Sequence, residues 1–360
     1  MILNHNSTNG INWCWATKSP APRVILQLCV GSACTEQWRN LCCIGHKSLW
    51  MGQKWKYTQK HVKKGEQSFE KRTHKYLSII IDGMDQKKTG IPFAYNGPKA
   101  VKDLTPYKSS VVGVIVHGFE ARAFVVEPFW KHDSDLTIEI LIRTFIRILE
   151  AGHKLAPVLY LQMDNCWREN KNQHVLTFLA ILAKLNIFRK IKLNFDLVGH
   201  THEDIDQLFK SLNTVLKRST VGTISKFISV MSEGYHSTKN IPFKVTRLDN
   251  VGSYKTWFGP LVQGMHNHVY PHCFKVSICF YYETYDASSL YDPSFCSPPC
   301  VRVSWFARIS CISLDMSKSP APRVICLQMF ACWYVIHPRR GWINNLFFQC
   351  RCLGSDFQER

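Results

Sequence analysis

The sequence predicts an α/β fold in which helices flank a mixed sheet, and three observations carry that prediction. Short β-branched apolar runs stop abruptly at aspartates, YLSIII at Asp82 and VLYLQM at Asp164. Two further apolar runs are joined by a tight turn signal, Gly118-Phe119-Glu120. Segments of helical period alternate with the later strands.

Residues 76–81 read as a buried strand. SVVGVIVH (110–117) and ARAFVVEPF (121–129) form the arms of a hairpin. Residues 134–151 place Leu136, Ile140, Leu141, Phe145 and Ile148 on one helical stripe, with His132, Asp133 and Asp135 at its cap and Gly152 as its stop. Then come a strand over 158–163, an apolar helix over 173–185, a strand over 190–198 and a helix over 203–216. The succession β, β-hairpin, α, β, α, β, α is that of the ribonuclease-H-like fold. The expected core spans 76–218, preceded by a basic linker (52–75) and followed by an accessory segment (219–275). Residues 1–51 and 276–360 read as irregular, Cys-rich ends, the second poorly ordered. KSPAPRVI occurs in both, at 18–25 and again at 318–325; a match so far apart is no structural repeat, and it suggests that repetitive DNA has been translated at both ends.

A formal net charge of +19 and a pI near 9.4 point to a polyanionic partner, DNA before an anionic membrane. The amino terminus lacks the pattern of a signal peptide, and no run of 18 uncharged apolar residues occurs, so the expectation is an intracellular protein outside the membrane. Of fifteen cysteines, five lie in 1–43 and nine in 273–352, leaving Cys166 alone between; the middle suits a reducing compartment, and the spacings do not make zinc knuckles. Cys166 reads as a small packed residue, and the loop pair His266 and His268 is a weak metal signal. In the 52–75 stretch, lysines alternate with aromatic residues, so Lys60, Lys63 and Lys64 are candidate phosphate contacts, a solvated helix face being the competing reading.

The densest chemistry lies in LVGHTHEDIDQLF (197–209), where His200, His202, Glu203, Asp204 and Asp206 crowd together after a strand. A plain helix start capped by Thr201 explains part of this run but leaves the histidines and Asp206 unaccounted for. In a ribonuclease-H-like fold, acids ending the first and fourth strands meet an acid on a later helix. Here those are Asp82, Asp164 and one of Glu203, Asp204 or Asp206, with Glu203 lying 39 and Asp206 42 residues after Asp164. Such a set supplies the oxygen ligands that Mg²⁺ or Mn²⁺ needs to cleave a phosphodiester. Glu203 matches the aspartate–aspartate–glutamate pattern of transposases by type, Asp206 by depth on the helix, and the choice leans to Glu203. His200 or His202 would orient the nucleophile or neutralise the leaving oxygen.

LSIIIDGMDQKKTGIP (77–92), GVIVHG (113–118), LQMDNCWRENKN (161–172) and LVGHTHEDIDQLF resemble an uncharacterised family associated with transposable elements in invertebrate and other eukaryotic genomes. The resemblance covers roughly 57–275. It implies a transposase- or integrase-like nuclease, nuclear, with Asp82, Asp164 and the 203–206 acids as metal ligands. It also implies that Asn165, Arg168, Asn170, Lys171 and Asn172 line the phosphate or sugar. Residues 1–50 do not look like the DNA-binding module that a transposase usually carries upstream. Two other readings stay open. One is a catalytically inactive nucleic-acid-binding remnant. The other is a histidine-metal phosphoesterase built on GHTH (199–202), which lacks that class's other motifs.

Overall fold

The computed structural model describes residues 56–93, 105–196, 203–235, 241–262 and 272–278, together with the backbone of 301–305 and 308–312. The chain divides into two units, 1–60 and 61–360. Of the first, only the helical residues 56–60 are described. Both copies of KSPAPRVI, His200, His202, Thr201, His266 and His268 lie outside the described residues, as does most of the Cys-rich ends.

In the second unit, residues 61–70 are helical (α1) where the sequence suggested a linker. His61, Val62, Gly65 and Ser68 are its buried positions, a stripe of three- to four-residue spacing that the flanking lysines obscure. Ser68 Oγ ties its end to the first strand, accepting from the N–H groups of Lys75 at 2.9 Å and Tyr76 at 3.1 Å.

The strands are β1 (Tyr76–Gly83), β2 (Gly90–Ile91), β3 (Tyr107–Lys108), β4 (Ser110–Val116), β5 (Glu120–Val126), β6 (Val158–Met163), β7 (Lys190–Phe195), β8 (Phe243–Arg247), β9 (Cys273–Ile278), β10 (Val301–Trp305) and β11 (Arg308–Ile312). β2 and β3 pair as a small separate ribbon, and the other nine form one sheet in the order β11-β10-β9-β7-β6-β1-β4-β5-β8. Its centre, β5-β4-β1-β6-β7, has β4 antiparallel to β1 and to β5, while β6 runs parallel to β1 and β7 parallel to β6. That is the ribonuclease-H-like order. The 117–119 turn joining β4 to β5 uses Gly118 at φ 83°, a conformation that costs glycine nothing.

The accessory segment joins the sheet at both ends: β8 lies beside β5 and β9 beside β7. β10 and β11 extend the β9 edge, so the stretch after residue 276 is not irregular throughout. Helices α2 (Ser134–Glu150), α3 (Gln173–Lys184) and α6 (Tyr254–Phe258) cover one face, and α4 (Asp204–Lys217) with α5 (Ile224–Ser232) covers part of the other. Asp133 caps α2 as expected, its carboxylate accepting from Asp135 N–H. No helix among the described residues is long and apolar enough to cross a membrane.

Candidate carboxylate site

Strands β1, β6 and β7 are paired in the parallel register Ile81–Met163–Phe195. Each is followed at the next position by an aspartate: Asp82, Asp164 and Asp196. Because side chains alternate across a sheet, the positions Ser78, Ile80 and Asp82 share a face with Tyr160 and Gln162 of β6 and Lys192 and Asn194 of β7. Three aspartates thus line one end of three adjacent strands. The sequence pattern extends this strand through Leu197 and Val198 and so does not single out Asp196. The structure ends β7 at Phe195, and Asp196 N–H donates to Met163 O at 3.0 Å. The missed signal is the alternation in KIKLNFD, whose Lys192, Asn194 and Asp196 mark a polar face.

Helix α4 supplies the fourth carboxylate. It packs against β4 at Gly113, the residue paired with Asp82. A Cβ there would lie 2.8 Å from Phe209 and 2.9 Å from Ile205, so only glycine lets the helix this close to the strand. The N-cap of the helix is Glu203. Asp206 accepts the Glu203 N–H at 3.1 Å. Asp204 Oδ2 lies 3.5 Å from His117 Nε2, whose other ring nitrogen is 2.9 Å from Ser78 Oγ. This chain of contacts ties the start of α4 to β4 and β1.

Asp82 is the electrostatic centre of the group. Burial first, and then the carboxylates of Asp164, Asp206 and Asp196, push its pKa up to about 7, against the hydrogen bond it accepts from Gly83 N–H at 2.7 Å. Among the acids of the helix, Asp206 acts on Asp82. Asp164 is exposed and accepts from Asn165 N–H at 2.6 Å. The donors are all oxygen, the chemistry that Mg²⁺ and Mn²⁺ select, and their mutual repulsion is what a cation relieves. As they stand, no three His, Cys, Asp or Glu side chains among the described residues are gathered closely enough to hold an ion.

The loop after β6 is held from within. Asn170 is buried, accepting from Thr137 Oγ1 at 3.0 Å and donating to the Asp164 carbonyl at 3.3 Å. Asn172 caps α3 through Val175 N–H at 3.1 Å. Lys171 is buried, donates to Asn165 Oδ1 at 2.9 Å and lies over the Phe195 ring; burial pushes the pKa of its amine down to about 8. Asn170, Lys171 and Asn172, expected to line a phosphate, hold hydrogen bonds within and around this loop. A polar run suits both roles, and one of its partners, Thr137, is distant in sequence. Arg168 is outward, beside Glu169, and next to it Trp167 is 70% exposed, a feature the sequence prediction overlooked.

Of the candidate phosphate contacts in the basic stretch, Lys63 is exposed, Lys64 lies over the Tyr76 ring at 4.8 Å, and Lys60 is an exposed residue of the first unit. Cys166 is a half-buried free thiol.

Compared with curated proteins, the chain matches none. Residues 99–281, which include Asp164, Asp196 and Asp206 but begin after Asp82, match the family model of a domain of unknown function, DUF7869; that is just over half of the chain, and the chain belongs to this family.

Proposed function

We propose that the protein is a transposon-derived, transposase- or integrase-like enzyme that cleaves or transfers a DNA phosphodiester with the aid of Mg²⁺ or Mn²⁺. The observation that carries this reading is the register that sets Asp82 and Asp164 at the ends of neighbouring parallel strands, with Asp206 brought into the field of Asp82 by α4.

Asp82, Asp164 and Asp206 are the ligands this reading assigns, with Asp196 beside them. Once bound, Mg²⁺ or Mn²⁺ would polarise a phosphodiester oxygen and make water or a hydroxyl a stronger nucleophile. The chain's own residues do the rest. Asp82, whose pKa is pushed up to about 7, would have to be deprotonated to hold a cation. Gly83 N–H and Asn165 N–H orient the Asp82 and Asp164 carboxylates. Lys171 fixes Asn165 and so the loop that carries Asp164. In the reaction a water or 3′-hydroxyl oxygen bonds to phosphorus, the bond to the leaving oxygen breaks, the nucleophile's proton passes to solvent and the leaving oxygen takes one from water. The basic balance of the chain suits a DNA substrate and, with it, a nuclear location.

The test is nicking of supercoiled plasmid by the full chain with Mg²⁺, Mn²⁺ or EDTA. Nicking is expected with either ion and not with EDTA. Asp82→Asn and Asp164→Asn should each abolish it while plasmid binding persists. Undiminished nicking in either variant refutes the assignment. Plasmid binding with no nicking under any condition favours an inactive remnant.

A further inference from the structure

Strands β1, β5 and β6 run in one direction, because β4 is antiparallel to both β1 and β5 and β6 is parallel to β1. They therefore end on one edge of the sheet, the edge where β4 begins and the aspartates lie. In the second unit, the large hydrophobic side chains left exposed among the described residues are Phe93, Tyr107, Phe129 and Trp167. Each belongs to a segment that leaves or enters the sheet at this edge. Phe93 follows β2, Tyr107 lies in β3 just ahead of β4, Phe129 follows β5 and Trp167 follows β6. A single exposed aromatic needs no explanation, but four on segments that meet one edge of the sheet do.

The two most exposed are Trp167 at 70% and Phe129 at 65%, and the Trp167 loop is joined to the helix that follows the Phe129 loop, where Thr137 Oγ1 donates to Asn170 Oδ1 at 3.0 Å. Both loops are fixed. The Trp167 carbonyl accepts from Asn172 Nδ2 at 3.3 Å, and Phe129 leans on Trp130, which packs on the core. These loops present flat apolar rings to solvent. Exposed cations alternate with them: Lys87, Lys108, Lys131 and Arg168. Ring faces interleaved with cations match a strand that offers both open base faces and phosphates. A duplex offers the phosphates but keeps its base faces stacked.

We infer that this edge takes an unpaired nucleotide strand, with bases seated on Trp167 and Phe129 and phosphates led by the surrounding cations toward the aspartates. The inference rests on the phosphodiester reading for what the aspartates do; the seating of the bases is tested without it.

The experiment measures fluorescence anisotropy of labelled oligonucleotides with the full chain in EDTA, so that no cleavage intervenes. An oligo-dT of about 20 nucleotides, an oligo-U of the same length and a duplex of the same length are compared, since base stacking separates strand from duplex. The wild-type chain should prefer a single strand to the duplex, and the two single-stranded arms tell deoxyribose from ribose. Trp167→Ala and Phe129→Ala should each weaken single-strand binding about ten-fold and change duplex binding by less than about two-fold. Trp167→Phe, which keeps a ring, should retain most of the affinity. Both side chains are exposed, so the fold survives their removal. Duplex bound as tightly as single strand, or single-strand binding unchanged in both alanine variants, overturns the inference. If nicking fails while the single-strand preference holds, the phosphodiester reading falls and the base platform stands. If nicking succeeds while that preference is absent, the base platform falls and the phosphodiester reading stands.

Discussion

Strands β1, β6 and β7 show two different surfaces to the two sides of the sheet. Toward α2, α3 and α6 they send Leu77, Ile79 and Ile81, then Leu159, Leu161 and Met163, then Ile191, Leu193 and Phe195, all buried in one apolar core. Toward the other side they send Ser78, Ile80 and Asp82, then Tyr160, Gln162 and Asp164, then Lys192, Asn194 and Asp196. One backbone with a period of two thus carries stability on one face and polar chemistry on the other. The neighbouring strands β4 and β5 do not divide in this way. Their Val111, Ile115, Ala121, Ala123 and Val125 meet α4 and α5 in a second apolar cluster. On β1, β6 and β7 this face includes polar burial at Ser78, Gln162 and Asn194. There it is costly: Gln162 and Asn194 are each 1% exposed, and Gln162 offsets its burial by donating to Asp196 Oδ1 at 2.9 Å.

Substitutions on the two sides should differ in size, sign and pH dependence. The largest loss is expected on the dry side. Phe178, fully buried in α3, should cost about 3–5 kcal/mol as Phe178→Ala, independent of pH, in denaturant titrations. On the other side, Gly113→Ala forces a methyl group against Phe209 and Ile205 and should cost about 1–3 kcal/mol. Because it shifts α4, it should also lower the pKa of Asp82 as read by carboxylate NMR; a loss of stability with Asp82 unmoved would separate the helix from the site.

Asp82→Asn should have the opposite sign. In the folded chain Asp82 holds its proton up to about 7, whereas the unfolded chain releases it in the ordinary carboxylate range. The native state therefore binds the extra proton between those limits, and stability falls as pH rises through them. Without divalent ions, Asp82→Asn should raise Tm by a few degrees above pH 7 and by almost nothing near pH 4. A Tm difference that does not grow with pH would show that Asp82 carries no such burden. The smallest effect is expected from Asn172→Ala, which removes the cap of α3 and should cost about 1 kcal/mol at any pH.

Much of this division is written in the sequence. The apolar runs before Asp82 and Asp164 identify two neighbouring strands, and the hairpin about Gly118 orders two more. What stays hidden depends on partners distant in sequence. Leu197 and Val198 suit a strand and mask the end of β7 at Phe195, so only the alternation of Lys192, Asn194 and Asp196 hints at a third aspartate. The acids Glu203, Asp204 and Asp206 are equivalent on paper. They part only when α4 docks at Gly113, which sets Asp204 against His117 and leaves Asp206 acting on Asp82. The hydrogen bonds of Asn170 to Thr137 and of Asn172 to the start of α3 are likewise not legible in the polar run itself. The strand β9 lies among cysteines that obscure its alternation, and its place is set by pairing with β7.

Whether Asp82, Asp164 and Asp206 jointly take a divalent cation is tested most directly by the Tm of the full chain at pH 8 with and without Mn²⁺. Mn²⁺ should raise the Tm of the wild-type chain by several degrees, since an ion bound only by the folded state stabilises it. It should leave Asp82→Asn and Asp164→Asn nearly unmoved. Equal shifts in all three proteins, or none in the wild type, would contradict joint binding by these carboxylates.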